Sequence, residues 1–311
     1  MQYTGELISI GVAVSWTITA LCFEYAGKRI GALSLNIIRL LIAICMLGAT
    51  LCVFTGEFVP LHASREAWIW LSVSGFIGYV LGDYCLFNSY LLIGSRLGQL
   101  FMTLAPPTAA LTGMLILGEK MSGYALLGMF VTLFGIGLSI LSRGGDMIGK
   151  WHFTLPLKGI LLGVGAGVGQ GVGLVFSKLG MSYPIFSEGS STPMTTFLLP
   201  FAATQIRALI GVVGFFLIIL LTRQGKQFLR AFTDKRAMAG TSLGSFFGPF
   251  IGVSFSLMAV QYTETGVAST LMALTPILIL LPSQLLLKQH ISRREILGAI
   301  ISVFGVSLFF I

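Results

Sequence analysis

The chain of 311 residues is 55% apolar and only 10% charged, with a net charge of +8 and a mean hydropathy of +0.93. A soluble domain carries about 25% charged residues, so this composition excludes a water-soluble globular protein and predicts an integral membrane protein. The basic residues lie in short segments between apolar runs, which favours a role in membrane orientation over nucleic-acid binding.

Ten apolar runs of about 20 residues follow one another along the chain, and each is long enough to cross a bilayer as a helix. The alternating pattern of strands is absent, so the predicted fold class is an all-α polytopic membrane protein. The predicted spans are, in chain order, 5–26, 33–54, 67–92, 95–117, 122–141, 157–178, 201–221, 237–260, 266–287 and 292–311.

Lysine and arginine are distributed unevenly between the two sets of connecting segments. The connections after the first, third, fifth, seventh and ninth spans hold 14 of them, whereas the opposite side holds only Arg65, Lys120 and Lys178. Because basic loops stay in the cytoplasm, this distribution predicts that both termini are outside and that the basic segment 222–236 is inside. The opposite orientation, with both termini inside, remains open.

The two halves of the chain share an ordered series of residues at a fixed offset. At a shift of 170 residues the matched pairs are Gly78/Gly248, Gly82/Gly252, Met102/Met272, Pro106/Pro276, Gly128/Gly298 and Gly135/Gly305. The predicted repeats cover 1–143 and 157–311, joined by the loop 144–156, with an insertion near 181–200 in the second. Five spans in each half force opposite orientations, so the sequence predicts two inverted five-helix repeats with a substrate site near the midplane between them.

Prolines interrupt the fourth and ninth spans at matched positions. A proline inside a helix removes the hydrogen bond to the carbonyl four residues earlier and kinks the axis. Pro106 and Pro276 would each free the carbonyl of a methionine, Met102 or Met272, which then needs another partner or lines a cavity. We expect helix kinks at these two prolines and at Pro249 in the eighth span, and we expect both methionines to belong to the substrate-binding site.

Charged side chains inside a span are costly in lipid and are therefore candidates for function. Asp83, in the third span, could couple proton movement to transport or bind a substrate amine, and a fixed ion pair with Arg96 is the alternative. Arg39 and Arg207, in the second and seventh spans, are expected near opposite faces of the membrane. There they would attract anionic groups or, alternatively, clamp helix ends and lipid headgroups.

The sixth span has glycine at every second position from 163 to 173, with Gln170 as its polar side chain. This spacing never yields Gly-x-Gly-x-x-Gly, which argues against a dinucleotide-binding loop, and it predicts a thin, closely packed helix near the pore. Gln170 is expected either to line the cavity or to pack against a neighbour. The predicted substrate-binding set is completed by Trp16, Tyr84, Asn88 and Gln99.

No residue is predicted to catalyse a reaction, and neither a metal site nor a cofactor is expected. The four cysteines lie inside apolar runs without ligand or redox spacing, and the three histidines are isolated from one another. An intramembrane aspartyl protease would need a second aspartate within a span, and the sequence offers only Asp83.

The stretch "LFMTLAPPTAALTGMLILGEKMSGYALLGMFVTLFGIGLSIL" resembles the fourth and fifth helices of EamA-type transporters of the drug/metabolite superfamily. The shared pattern is a proline in the middle of helix four, a Gly-Glu-Lys ending and a glycine-rich fifth helix. The second half departs from it, because "LLKQH" stands in place of the Gly-Glu ending. The resemblance covers nearly the whole chain and implies a ten-helix carrier of the bacterial inner membrane that works without a cofactor.

The expected function is a secondary transporter of an amino-acid-like or other small metabolite, with export as the direction that the resemblance favours. A sugar-phosphate or nucleotide-sugar antiporter is one alternative, and it would need clusters of lysine or arginine deep in the cavity. An intramembrane enzyme is the other, and it would need a second carboxylate or a nucleophile there. The expected partners are a small-molecule substrate and the lipid bilayer, with proton coupling as a hypothesis, and the chain is expected to be a monomer or homodimer.

Overall fold

The computed structural model describes residues 4–117, 123–141, 156–186, 193–262, 271–287 and 292–308. Within these ranges the chain is built from helices and short connections, without a β-strand. The Gly-Glu-Lys sequence at 118–120, most of the connection 144–156, and the basic residues Arg143, Lys150 and Lys288 lie outside the described residues.

The described part of the first half contains seven α-helices, and a π-helical or 3₁₀ segment joins two of them to the next helix. They are α1 (Thr4–Ile30), α2 (Ala32–Thr55), α3 (Arg65–Gly75), α4 (Tyr84–Ile93), α5 (Ser95–Phe101), α6 (Ala105–Leu117) and α7 (Gly123–Leu141). The first π segment (Phe76–Asp83) is a π-helical stretch between α3 and α4, and a 3₁₀ turn (Met102–Leu104) joins α5 to α6.

The described part of the second half contains a corresponding set of helices. They are α8 (Leu157–Met181), α9 (Pro193–Thr222), α10 (Gly225–Ala231), α11 (Lys235–Ser245), α12 (Ser254–Tyr262), α13 (Thr275–Leu278), α14 (Leu280–Leu287) and α15 (Arg293–Ser307). A second π segment (Phe246–Val253) joins α11 to α12. Pi-helical turns are rare and occur most often at functional sites.

Seven helical stretches of the described residues are long and apolar enough to cross a membrane, as expected of a polytopic membrane protein. They are Thr4–Ile30, Ala32–Thr55, Arg65–Ile93, Ser95–Ile116, Leu157–Met181, Pro193–Thr222 and Lys235–Ala259. The remaining predicted spans, 122–141, 266–287 and 292–311, overlap helices α7, α13 with α14, and α15. The total of ten spans stays a prediction.

The seventh predicted span begins too late. The prediction started it at residue 201, whereas α9 begins at Pro193 and continues through Pro200. The end of the segment 181–200, which the sequence assigns to an insertion, is therefore the first two turns of this helix. Arg207 consequently lies at the centre of a helix of 30 residues and not near its end.

From α3 and α11 onward, the helix starts of the two halves coincide at the shift of 170 residues. Helices α3 and α11 begin at Arg65 and Lys235, and the π segments begin at Phe76 and Phe246. The residues that cap α3 and α11 also match, because Ser64 accepts a hydrogen bond from the N–H of Ala67 and Asp234 accepts one from Ala237. The residue series in the sequence therefore corresponds to a series of repeated local structures.

Helix α8 packs closely on two sides, as its glycine spacing predicts. A methyl group at Gly169 would lie 2.9 Å from the Cα of Gly82 in the first π segment, and one at Gly173 would lie 3.0 Å from the Cα of Gly78. On the other side, a methyl group at Gly171 would collide with the backbone carbonyl of Ala105. Glycine therefore brings the backbone of α8 against both the first π segment and α6.

Helices α7 and α15 pack against each other through reciprocal contacts. A methyl group at Gly135 would lie 2.6 Å from the carbonyl oxygen of Gly298, and one at Gly305 would lie 2.9 Å from that of Gly128. The hydroxyl of Thr132 donates to the carbonyl of Ser302 at 3.4 Å, and the hydroxyl of Ser302 donates to the carbonyl of Thr132 at 3.4 Å. Each contact reappears with the two helices exchanged, as in a two-fold arrangement.

Candidate functional site

A cavity of about 180 Å³ lies between the two halves of the chain. Its walls come from α1, α2, the first π segment, α4, α5, the 3₁₀ turn and α6 in the first half. In the second half they come from α8, α9, the second π segment, α12 and the Met272–Pro276 stretch. Most of the lining is aromatic or aliphatic with a few polar groups, which is the usual character of a small-molecule site.

Eight of the ten predicted substrate-binding residues line this cavity, namely Trp16, Arg39, Asp83, Gln99, Met102, Gln170, Arg207 and Met272. The three prolines predicted to kink helices, Pro106, Pro249 and Pro276, line it as well. The structure thus brings together residues that are far apart in the sequence and come from both halves.

Tyr84 and Asn88 do not belong to the cavity lining. Tyr84 is 39% exposed, and the side-chain amide of Asn88 donates to the carbonyl of Tyr84 on the same helix. Successive residues of a helix point about 100° apart, so the face of α4 that carries Phe87 and Tyr90 into the cavity directs Tyr84 and Asn88 elsewhere. The structure therefore does not bring Tyr84 and Asn88 together with the other eight residues at the cavity, and a role for them in substrate binding stays a prediction.

Asp83 is buried and has a defined partner for each carboxylate oxygen. Its Oδ2 forms an ion pair with the guanidinium of Arg39, and its Oδ1 accepts a hydrogen bond of 2.7 Å from the side-chain amide of Gln170. The same amide donates to the carbonyl of Gly78 at 3.0 Å. The alternative of an ion pair with Arg96 is wrong, because the Nε of Arg96 lies 2.6 Å from an oxygen of Glu295.

Arg39 is enclosed by aromatic rings as well as by its carboxylate. Its guanidinium carbon lies 4.8 Å from the ring centre of Phe87, 5.6 Å from that of Tyr79 and 5.8 Å from that of Phe23. Its Nε donates to the amide oxygen of Asn36 at 3.1 Å. Cation–π contacts of this kind favour a desolvated arginine, so Arg39 is held from several directions.

Arg207 reaches the same cavity from α9. Its guanidinium carbon lies 4.8 Å from the ring centre of Tyr79, on which Arg39 also packs. The expectation that the two arginines lie near opposite faces is therefore wrong. The reason is that Arg207 lies in the middle of α9. Helix α9 packs against α2 in a cluster that includes Leu40 and Phe215, so the two arginine side chains reach the same part of the cavity.

Arg207 differs from Arg39 in its hydrogen bonding. It is only 4% exposed, yet within the described residues its Nε has no hydrogen-bond partner and no carboxylate forms an ion pair with it. Tyr79, 2% exposed, likewise has no partner for its hydroxyl among the described residues. Two polar groups with unused hydrogen-bonding capacity thus lie side by side in the cavity wall.

Tyr79 lines the cavity but is not among the residues predicted from the sequence. Its position four residues before Asp83 could have indicated it, since residues at this spacing lie near the same face of a helix. Its match at the shift of 170 is Pro249, another lining residue. Tyr90 also lines the cavity, where its hydroxyl accepts a hydrogen bond of 2.6 Å from the side-chain amide of Gln99.

The carbonyls that the prolines release are hydrogen-bonded again in both halves. The carbonyl of Met102 accepts from the N–H of Ala105, which closes the 3₁₀ turn. The carbonyl of Met272 accepts from the hydroxyl of Thr275 at 2.9 Å. In the first half the backbone forms a tighter 3₁₀ turn, and in the second half a side-chain hydroxyl donates to the carbonyl. Each arrangement removes the cost of an unsatisfied carbonyl.

A separate group of charged residues lies outside the cavity lining. Glu24 is buried and accepts hydrogen bonds from the ammonium group of Lys28, four residues later on α1, at 2.5 Å and from the N–H of Ser95 at 2.7 Å. Because Ser95 is the first residue of α5, the carboxylate lies at the positive end of that helix. Among the described residues no group of three or more His, Cys, Asp or Glu side chains is placed to hold a metal ion.

Comparison with known proteins identifies related chains. The model of the EamA-like transporter family matches residues 3–141 and 157–311. A protein of Haemophilus influenzae (strain ATCC 51907 / DSM 11121 / KW20 / Rd), described as an uncharacterized transporter, is 26% identical over 162 residues, or 52% of this chain and 51% of the relative. The match thus spans about half the length of this curated relative. A solved crystal structure resembles this chain with a TM-score of 0.61 and 16% identity, covering 99% of this chain and 96% of the other, so the two share a fold.

Proposed function

This chain belongs to the EamA-like transporter family and is therefore a membrane transporter of a small substrate. We propose that it is a secondary transporter and works by alternating access. In this proposal a small metabolite binds in the cavity between the two halves, near the middle of the bilayer. Relative rocking of the halves then exposes the cavity to one side of the membrane at a time. Export across the inner membrane is the proposed direction.

The observation that carries this proposal is the composition of the cavity wall. Trp16, Asp83 and Met102 come from the first half, and Gln170 and Arg207 from the second. A site shared by two units changes its exposure when the units move relative to each other, whereas a site within one unit would move as a rigid body. The glycine contacts and proline interruptions next to the cavity supply places where the backbone can bend.

The inverted orientation of the halves belongs to the same proposal. The coincidence of helix boundaries at the shift of 170 residues supports a repeat, and an odd number of spans in each repeat inverts the second relative to the first. With the distribution of lysine and arginine, this gives a transporter with both termini outside and the segment 222–236 in the cytoplasm. Lys226 and Arg230 of that segment are exposed and could contact anionic headgroups there.

The alternatives have less support from the cavity. A sugar-phosphate or nucleotide-sugar antiporter needs several unpaired cations, whereas Arg39 is already paired with Asp83 and leaves Arg207 as the unpaired cation among the described lining residues. An intramembrane hydrolase needs a second carboxylate or an activated nucleophile. Asp83 is the only carboxylate among the described residues that line the cavity.

The proposed function can be tested by comparing the metabolites of cells with and without the protein and then measuring transport of the affected compounds in proteoliposomes. Cells that contain the exporter should release at least one metabolite faster, and the purified protein should carry it across the vesicle membrane. Met102→Trp should fill the cavity and stop transport, whereas the matched Met114→Trp, on an exposed part of α6, should not. Unchanged metabolites together with inactive vesicles would contradict the proposal.

Proton coupling through Asp83 is tested in the same vesicles. If the carboxylate carries the coupled proton, an imposed pH gradient should drive transport by the wild type, and Asp83→Asn should remove that dependence. Equal transport by both proteins across the pH range would exclude this role of Asp83.

A further inference from the structure

We propose that the substrate is a monocarboxylate with an apolar body, and that its carboxylate binds to the guanidinium of Arg207 and the hydroxyl of Tyr79. This inference rests on the proposed function, because it assigns a chemical class to the molecule that the cavity transports.

The charges of the cavity wall are the first reason. Arg39, Arg207 and Asp83 are its charged side chains among the described residues, which gives two positive groups and one negative group. Arg39 and Asp83 form an ion pair and compensate each other. One positive charge on Arg207 remains, and a ligand with a single negative charge would neutralise it.

The second reason is the hydrogen-bonding state of Arg207. Arg207 is buried and, among the described residues, makes no ion-pair contact, while its Nε has no hydrogen-bond partner. Burying an unpaired cation is destabilising, and a bound anion would offset that cost. The guanidinium extends over Gly78, where an added methyl group would lie 3.0 Å from Nη2. Glycine at this position therefore leaves room for the guanidinium. A planar guanidinium can donate two parallel hydrogen bonds to the two oxygens of one carboxylate.

Tyr79 supplies a second donor beside the first. The guanidinium of Arg207 packs on its ring at 4.8 Å, and its buried hydroxyl has no partner among the described residues. A hydroxyl that donates to an anion satisfies both groups, whereas an unpaired buried hydroxyl is unfavourable. The two side chains thus form one anion-binding corner.

The remaining wall explains the apolar body and the absence of an amine. Trp16, Phe87, Met102 and Met272 line the cavity and favour an aromatic or branched aliphatic group. Both oxygens of Asp83 are already engaged, one by Arg39 and one by Gln170, so an ammonium group finds no unpaired carboxylate there. A carboxylic acid without an amino group therefore fits better than the amino acid with the same side chain.

Binding of matched compounds to the detergent-purified full-length protein tests the inference. The probes are 3-phenylpropanoate, its amide, the corresponding amine 3-phenylpropylamine, phenylalanine and phenyl phosphate, which share an aromatic body. We expect the dissociation constant of 3-phenylpropanoate to be about tenfold to a hundredfold lower than that of the amide, and lower than those of the amine, phenylalanine and phenyl phosphate. This comparison uses the wild-type protein, so it does not depend on the folding of a variant.

Variants then assign the preference to the corner. Arg207→Gln should remove the difference between acid and amide, and Tyr79→Phe should weaken acid binding about threefold to tenfold with little change for the amide. Arg236→Gln, which removes an exposed arginine outside the cavity, is the control with matched charge and should bind like the wild type. Thermal unfolding of each variant checks that it is folded.

Equal affinity for acid and amide, or an unchanged preference in folded Arg207→Gln, would overturn the carboxylate inference. If the metabolites found by profiling are neutral or cationic and are still transported in vesicles, the inference fails and the proposed function stands. If no metabolite is transported by the wild type, the proposed function fails independently of the binding results.

Discussion

The two π segments have the same backbone form and different chemistry. Each consists of eight residues, begins at matched positions and contributes to the cavity wall. In the first, Tyr79 and Asp83 face polar neighbours. In the second, Pro249 and Val253 stand at the same positions. The repeated backbone therefore provides a common frame, while the side chains make one wall polar and the other apolar.

The neighbours of each π segment follow this division. A methyl group added at Gly82 of the first segment would lie 3.3 Å from the side-chain amide nitrogen of Gln170. One added at Gly252 of the second would lie 2.7 Å from the indole nitrogen of Trp16. In both cases the missing side chain of a glycine leaves room for a side chain from another helix to pack against the π segment. In the proposed site, the polar contacts to the substrate can therefore come from one half only, without a change in the fold.

The largest expected effect comes from giving the first segment the residue of the second, Asp83→Val. The change leaves Arg39 buried without its carboxylate, which should cost about 3–5 kcal/mol of unfolding free energy. Thermal unfolding of the purified protein measures it. The double variant Arg39→Met with Asp83→Val removes both charges and should recover most of the loss, and Val253→Ala at the matched position should cost about 1 kcal/mol. A single variant as stable as the wild type would contradict the buried ion pair.

The next effect comes from the residues that precede the segments, Gly75 and Ser245. A methyl group at Gly75 would lie 2.7 Å from the carbonyl oxygen of Arg207 and 3.0 Å from its Cα, so Gly75→Ser should destabilise by about 1–3 kcal/mol through overpacking. The reverse change, Ser245→Gly, loses the hydroxyl bond to Thr241 and adds helix flexibility, at a cost of about 1 kcal/mol. Thermal unfolding of both variants measures these costs, and a Gly75→Ser protein as stable as the wild type would show that α9 does not pack closely at Gly75.

A smaller effect is expected at the capping residues, where Ser64 and Asp234 occupy matched positions. The N–H of Ala237, followed by the side chain of Arg29, holds the pKa of Asp234 below its ordinary value. A lowered pKa means that the stabilisation is present above the unfolded pKa and is lost as the pH falls through the folded value. The unfolding temperature of Asp234→Ser should therefore depend less on pH below about 4 than that of the wild type. Parallel curves for the two proteins would argue against this cap.

The least disturbing test concerns the direction of the two segments. Glu66→Cys and Lys235→Cys place thiols at exposed positions near the beginnings of α3 and α11, in a background without the four native cysteines. If the halves are inverted with both termini outside, an impermeant thiol reagent should label the Glu66→Cys variant in intact cells. It should label the Lys235→Cys variant only after the cells are permeabilised. Labelling of both from the same side would exclude the inversion, and the exchanged pattern would reverse the orientation.

Much of the architecture follows from the sequence because lipid imposes simple rules. Length and apolarity predicted most helices, and the glycine spacing predicted the close contacts of α8. The start of α9 was missed because Pro200 is a sequence signal for the end or start of a helix, whereas in the structure α9 continues through it. Eight of the predicted residues line the cavity. The charged ones among them could be selected because such groups are costly in lipid, and the two methionines because each lies four residues before a proline. The partner of Asp83 was not predictable, because the sequence does not show that Arg96 pairs with Glu295 of α15 and that Arg39 of α2 pairs with Asp83.

The reciprocal contact between α7 and α15 has a mechanical consequence for the alternating access proposed above. Backbone meets backbone at Gly135 and Gly305, so there is no long side chain at these points that could yield to sliding. None of the described residues of either helix lines the cavity. If the halves rock as proposed, this pair would act as a pivot outside the cavity, where a small rotation would produce a larger displacement of the cavity walls.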